Sequence, residues 1–317
     1  MRPVMRHLPP SVVAAILLAA SPALADAPKV VASIKPVHSL VAAVMEGVAE
    51  PALIVRGAAS PHTYAMKPSD AKALAAADLV FWVGPELESF LDKPLKANAK
   101  KATSVELLEA PGVTLLDARE GGAWEAHDHG HKHDHGHAHG EGHGHEEVNT
   151  HVWLDPANAR AMVAAIAEAL SAKDPANAAA YTVNAGRTAR SIDALDAELK
   201  AALAPVAGKP FVVFHDAYQY FEAHYGLNGV GAITVNPERR PSAKRLSEIR
   251  ARITGLGAAC VFAEPQFEPA LVDTIVDGTR AKKGVLDPEG AELKDGPGLY
   301  PALMRGIAAS LKDCLGS

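Results

Sequence analysis

Pro175-Ala-Asn-Ala-Ala-Ala-Tyr-Thr-Val-Asn-Ala-Gly-Arg-Thr-Ala-Arg-Ser-Ile-Asp-Ala-Leu-Asp-Ala-Glu-Leu-Lys-Ala-Ala-Leu-Ala204 has no proline after its first position and a single glycine, Gly186. Alanine, leucine, lysine and glutamate are strong helix formers. Ile192, Leu195, Leu199 and Leu203 recur at helical spacing and form one apolar stripe. As one helix the stretch would reach about 45 Å, well beyond an average helix and enough to connect two lobes. The alternative is two shorter helices broken near Gly186, since a mid-helix glycine weakens the element.

On both sides of this stretch, short apolar runs alternate with helical patterns. Upstream, Val30–Ile34, Leu53–Val55, Leu79–Val83 and Val113–Leu116 predict strands. Ser39–Met45, Pro68–Ala77, Glu86–Leu91 and Pro156–Leu170 predict helices, with Pro68 suited to a first turn. Downstream, strands are predicted over Phe211–Phe214, Val230–Val235, Cys260–Ala263 and Val285–Leu286. The intervening helices are Ala217–Tyr225, Ser242–Thr254 (capped by Ser242), Pro269–Ala281 and Leu299–Leu311. Alternating βα units imply mostly parallel sheets. The expected fold is therefore α/β: two mostly parallel-sheet lobes, residues 26–174 and 205–317, joined by one long rigid helix over 175–204, with a cleft between them.

The N-terminus combines Met1-Arg-Pro-Val-Met-Arg6, an apolar run from Val12 to Ala20, and Ala23-Leu-Ala25. A basic region, a short apolar region and a small-x-small site predict a secretory signal peptide over residues 1–25. The apolar run is shorter than the roughly 20 residues of a membrane span. Export to the periplasm follows as the expectation. The formal charge of −6 argues against nucleic acid and anionic lipid as partners and is mildly favourable for cations. Cys260 and Cys314 are the only cysteines, and in an exported chain they predict a disulfide. Closing that loop would contribute about 4 kcal/mol in the chain-entropy model.

Nine histidines fall within the nineteen residues from His127 to His145, interleaved with glycine, aspartate and glutamate. Imidazole is a favoured ligand for Zn, Cu and Ni, and such a tract reads as metal-binding on composition. Having almost no apolar residues, it is expected to be a disordered loop over 119–147 within the first lobe. Outside the tract and the signal segment stand His38, His62, His151, His215 and His224. His62 follows a Gly/Ala/Ser/Pro stretch, and His215 ends an apolar run. In parallel α/β lobes, ligands gather at the carboxyl ends of strands, where these two would fall. Separations of 89 and 64 residues exclude a local zinc-finger site, so only tertiary folding could unite His62, His151 and His215. His38 at a helix start and His224 beside Tyr225 fit structural roles better. Taken alone, the pattern leaves a three-histidine site and three separate structural histidines both open.

Several motifs carry a resemblance. Ser60-Pro-His-Thr-Tyr-Ala-Met-Lys-Pro-Ser-Asp70 is followed by Ala77-Asp-Leu-Val-Phe-Trp-Val-Gly-Pro-Glu-Leu-Glu88. Asn149-Thr-His-Val-Trp-Leu-Asp-Pro156, Phe214-His-Asp-Ala-Tyr-Gln-Tyr-Phe221, Val261-Phe-Ala-Glu-Pro-Gln-Phe267 and Gly284-Val-Leu-Asp-Pro288 come in the same order. Together they cover nearly all of the chain after the signal segment and resemble the metal-binding extracytoplasmic solute receptors of ABC transporters. The histidine-rich insert and the cysteine pair look most like the ZnuA-type zinc receptors. The resemblance implies a metal ion held in the interlobe cleft, with His62, His151 and His215 as ligands. Manganese receptors of the family have a carboxylate at the position of His215, so imidazole there favours Zn²⁺, in keeping with ligand chemistry.

Tetrahedral zinc needs a fourth ligand. Asp287 matches the position where many family members supply a carboxylate; water and a tract histidine are the alternatives. Some zinc receptors place a glutamate just before the first histidine, but here that residue is Pro61. The implied partners are Zn²⁺ as cargo and an inner-membrane ABC permease, with the receptor itself a monomer. Neither His-Glu-x-x-His nor G-x-S-x-G nor a P-loop occurs, so an enzyme is not expected. A zinc buffer without a transporter, or a zinc hydrolase, are the competing functions.

Overall fold

Val30–Ala32 forms strand β1, and helix α1 (Lys35–Val44) follows at once, with Pro36 in its first turn. Strand β2 (Ala52–Leu53), helix α2 (Pro68–Ala76), strand β3 (Leu79–Trp82), helix α3 (Ser89–Asn98) and strand β4 (Thr103–Glu106) complete the first lobe's βα series. The computed structural model describes residues 27–98, 101–119, 124, 148–234, 242–268 and 270–316. The signal segment 1–25 and the tract His127–His145 lie outside the described residues. The four strands are parallel, in the order β2-β1-β3-β4. β4 was not expected: Thr103-Ser-Val-Glu106 is a polar edge strand without the apolar run that marks the others. The run Val113–Leu116, expected as a strand, joins neither sheet. It leads instead into an extended segment whose Asp117 makes an isolated antiparallel bridge to Val148.

Helix α4 (Pro156–Lys173) begins under Asp155, whose carboxylate accepts the Ala157 N–H at 2.7 Å. The thirty-residue stretch then folds as a single 3₁₀ turn at Pro175–Asn177, helix α5 (Ala178–Leu203) and a further turn at Ala204–Val206. Gly186 does not break α5. Ile192, Leu195, Leu199 and Leu203 are all buried along one side, and burying each is worth about 2 kcal/mol. α5 packs on α4 and α1. Its Asn184 Nδ2 donates to the carbonyls of Val44 and Glu46, both at 2.9 Å, which satisfies the end of α1.

The second lobe contains strand β5 (Pro210–His215), helix α6 (Gln219–Tyr225), strand β6 (Asn228–Thr234), helix α7 (Ala243–Leu256) and strand β7 (Cys260–Ala263). Helix α8 (Ala270–Val276), strand β8 (Lys282–Val285) and helix α9 (Leu299–Gly316) finish it. Its order, β6-β5-β7-β8, repeats the first sheet's topology, again all parallel. Strand alternation decides which core each side chain joins. Phe211 and Val213 of β5 and Phe262 of β7 enter one core that runs continuously through both lobes. Val212, Phe214 and Val261 enter a second core under α7 and α8. A disulfide joins Cys260 at the start of β7 to Cys314 on α9, as expected from composition.

Polar ties also cross the seam. Trp153 Nε1 donates to the Pro288 carbonyl at 2.9 Å, and Tyr300 Oη donates to the Trp153 carbonyl at 3.0 Å. Lys35 at the head of α1 donates to the carbonyls of Ala291 and Leu293.

Candidate metal centre

Both sheets change winding direction between their first and third strands, and ligands bind outside the carboxyl ends of such switch points. His215 is the last residue of β5, placed at that point in the second lobe. His62 sits on a one-turn helix, Pro61–Thr63, after β2. Pro61 presets the backbone of that turn. His151 precedes the turn Val152–Leu154 that leads into α4. Ring nitrogens of these three histidines lie within 4.8 Å of one another. His38 and His224 are not part of the group. His38 Nε2 faces the Pro51 carbonyl at 3.0 Å, and His224 lies between Asp155 and Asp196 at 3.0 and 2.8 Å.

Two of the rings are held by the same device. Asn149 Oδ1 accepts both the backbone N–H of His151, at 3.1 Å, and its ring Nδ1–H, at 2.8 Å. Glu264 Oε1 accepts the backbone N–H of His215, at 3.2 Å, and its Nδ1–H, at 2.8 Å. With Nδ1 carrying the proton, each Nε2 presents a lone pair. His151 Nε2 lies 3.4 Å from His62 Nε2 and 3.2 Å from His215 Nε2. With both rings in the neutral Nδ1–H form, the contact between His151 and His215 is not a hydrogen bond. It is a pair of lone pairs aimed at a common centre. Zinc–nitrogen bonds of about 2.0–2.1 Å in a tetrahedron require ligand atoms about 3.3 Å apart. The two spacings from His151 are those of a tetrahedral edge.

Burial, reinforced by the neighbouring imidazole of His215, pushes His62 down to about 3. Burial, then His215 and His62, holds His151 well below the usual imidazole range. Both are therefore neutral, the form that binds metal, at any pH near neutrality. Trp153 and Phe267 wall the site, with ring centroids 5.2 Å from His151 and 5.8 Å from His215. Carboxylates gather close by. Burial first, then Asp287, Glu88 and Glu264, drives the Glu289 carboxyl well above its usual range.

Asp287 is placed on the turn after β8, outside the three-histidine group. Its Oδ1 accepts from Gln266 Nε2, Glu289 N–H and Gly290 N–H at 2.9, 3.1 and 2.9 Å, and its Oδ2 accepts Ala291 N–H at 2.6 Å. Gly290 has φ +70°, which the turn requires. In this arrangement the carboxylate organises a turn. Sequence reasoning gave no role to Asn149 or Glu264. Asn149 is local, since a side-chain acceptor two residues before a histidine can reach its backbone. Glu264 becomes visible only once β7 is known to neighbour β5.

The comparisons with known proteins agree with this geometry. Residues 30–314 match the family described as ZnuA, zinc-uptake complex component A, periplasmic. The high-affinity zinc uptake system protein ZnuA of Brucella abortus is 55% identical over 304 residues, 90% of this chain and 91% of the relative. Its counterpart in Paracoccus denitrificans is 42% identical, covering 96% of this chain and 97% of its own length. Among solved structures, the periplasmic zinc-binding protein TroA from Treponema pallidum has the same fold. It gives a TM-score of 0.75 at 21% identity, with 91% of this chain and 99% of that one covered. Two lobes of identical strand order, three convergent imidazoles and a family match across nearly the whole described chain lead to one conclusion: this chain belongs to the ZnuA family.

Proposed function

We propose that the protein captures one Zn²⁺ between its lobes and delivers it to the inner-membrane permease of an ABC transporter for zinc uptake. The observation that carries this reading is the set of Nε2 atoms 3.2 and 3.4 Å apart, two of them with the opposite ring nitrogen committed to an acceptor. His62, His151 and His215 are the ligands. An all-nitrogen set of three suits zinc better than manganese, which prefers oxygen. For Asp287 to be the fourth ligand, it would have to give up hydrogen bonds that now organise its turn. That cost favours water at the fourth position, with Asp287 and a tract histidine as the alternatives. The carboxylate closest to the ligands, Glu264, is spent on His215, which leaves no general base in the group and speaks against a hydrolase.

The receptor works in the periplasm as a monomer after removal of residues 1–25. Its lobes span residues 26–174 and 205–317, and the 175–204 stretch links them. Cargo binding requires no chemistry beyond ligand exchange. The ion sheds water for imidazoles of which two are already oriented by an acceptor, so little ordering remains to be done on binding.

Calorimetry tests the reading on a variant lacking Ala123–Glu146 and on the same variant carrying His151→Ala. The deletion retains one tight zinc equivalent; adding His151→Ala removes it. Loss of the tight equivalent on deletion alone would move the site from the cleft to the tract.

A further inference from the structure

The segment 113–119, whose first four residues were expected as a strand, is a strap laid from the first lobe onto the second. Thr114 exchanges two hydrogen bonds with the Asn158 side chain on α4, at 2.8 and 3.0 Å. Two residues on, the Leu116 N–H donates to Tyr220 Oη on α6 at 3.0 Å. The Asp117 carbonyl accepts from Gln219 Nε2 at 3.0 Å, and Asp117 bridges to Val148 on the returning chain. The strap ends at Arg119. Its guanidinium lies against Asp216 and Glu222, both buried carboxylates of the second lobe, with Nη1 2.6 Å from Glu222 Oε2 and Nε 3.0 Å from Asp216 Oδ2. Its other face covers the Trp124 ring, 3.5 Å from the centroid.

These contacts lead directly to the metal centre. Asp216 follows His215 in the chain, and its carbonyl accepts from Asn149 Nδ2 at 2.7 Å. Asn149 is the residue that fixes the His151 ring, and its own carbonyl accepts from Tyr220 Oη at 2.7 Å. Arg119, Asp216, Asn149 and the two histidines thus form one connected frame. Gly229 makes room for it: a Cβ there would overlap the Glu222 carboxylate.

Resting on the zinc reading above, we propose that Arg119 is a positioning residue for the metal centre, clamping Asp216 so that His215 and His151 stay aimed at one point. A bidentate guanidinium suits this task because its donors form a rigid fork that an ammonium lacks. Groups that orient metal ligands typically change affinity by about 10–100-fold when lost.

Removing the cation alone would leave two buried carboxylates unpaired. The test therefore uses Arg119→Lys beside the neutral combination Arg119→Gln, Asp216→Asn, Glu222→Gln. Zinc affinity is read by chelator competition, folding by the thermal transition of the metal-free protein, and ligand geometry by the visible absorption of bound Co²⁺. The expected result is that every variant that folds binds zinc roughly tenfold or more weakly, with altered Co²⁺ bands. A folded variant with wild-type affinity and wild-type Co²⁺ spectrum overturns the proposal. So does failure of both variants to fold, which would make the clamp a fold element only. Absence of tight zinc binding by the unaltered protein would instead sink the zinc reading itself.

Discussion

Histidine occurs in this chain in two arrangements. His62, His151 and His215 are separated by 89 and 64 residues, yet the fold brings their ring nitrogens within 4.8 Å. The nine from His127 to His145 are neighbours in sequence among glycines and acids. In the first arrangement the ordering cost is met when the protein folds. Where neighbouring ligands have no fold to order them, chelation meets that cost instead, at about 1–2 kcal/mol per residue. The first offers one preorganised geometry, and the second offers number and proximity. Weak sites tethered near a strong one raise the local ion concentration there, and on that ground we propose collection for the tract and delivery for the cleft.

The largest separation between them is expected with pH. An imidazole in water ordinarily protonates near about 6.5 and then no longer binds metal. His62 is pushed down to about 3 and His151 well below 6.5. Near pH 5.5, calorimetry on the full chain should show the weak zinc equivalents gone and the single tight one retained. Parallel loss of both classes would break the comparison. The same shifts set the stability of the metal-free protein. The unfolded chain takes up protons below about 6.5 that folded His62 and His151 refuse, so stability falls as pH drops from there towards 3. Thermal midpoints of metal-free protein across that window check the sign.

A smaller effect is expected at Glu264, which separates a fixed imidazole from a free one. Glu264→Gln keeps an acceptor for His215 Nδ1 but removes its charge, and the tight equivalent should weaken by about 10–100-fold while the tract equivalents do not change. Unchanged tight binding would show that the carboxylate contributes only packing. The smallest effect belongs to Asp287. Asp287→Ala should lower the thermal midpoint through loss of the turn and shift zinc affinity by only a few-fold; a loss of a hundredfold or more would make Asp287 the fourth ligand.

Much of this was legible in the sequence. The alternation of apolar runs and helical patterns specified the α/β class, and α5 followed from its stripe despite Gly186. The three histidines could be named but not joined by pattern alone, because their approach depends on the order of strands in two sheets. β4 escapes the pattern because an edge strand needs no continuous apolar run, and Val113–Leu116 reads as a strand because a strap over a seam can be as apolar as one. Asn149, Glu264 and Arg119 act through hydrogen bonds that cross 2, 49 and 97 residues. Only the first of these spans lies within reach of local reading.

Trp153 has a consequence of a different kind. Its indole is fully buried, is fixed by the bond from Nε1 to the Pro288 carbonyl, and faces the His151 ring at 5.2 Å. Loading the site replaces a neutral imidazole beside that indole with one bearing a dication. The emission of a rigid fluorophore responds to a charge at that range. Trp153 emission, isolated by replacing Trp82 and Trp124 with phenylalanine, is therefore expected to change on zinc loading and to follow its arrival and departure without a label.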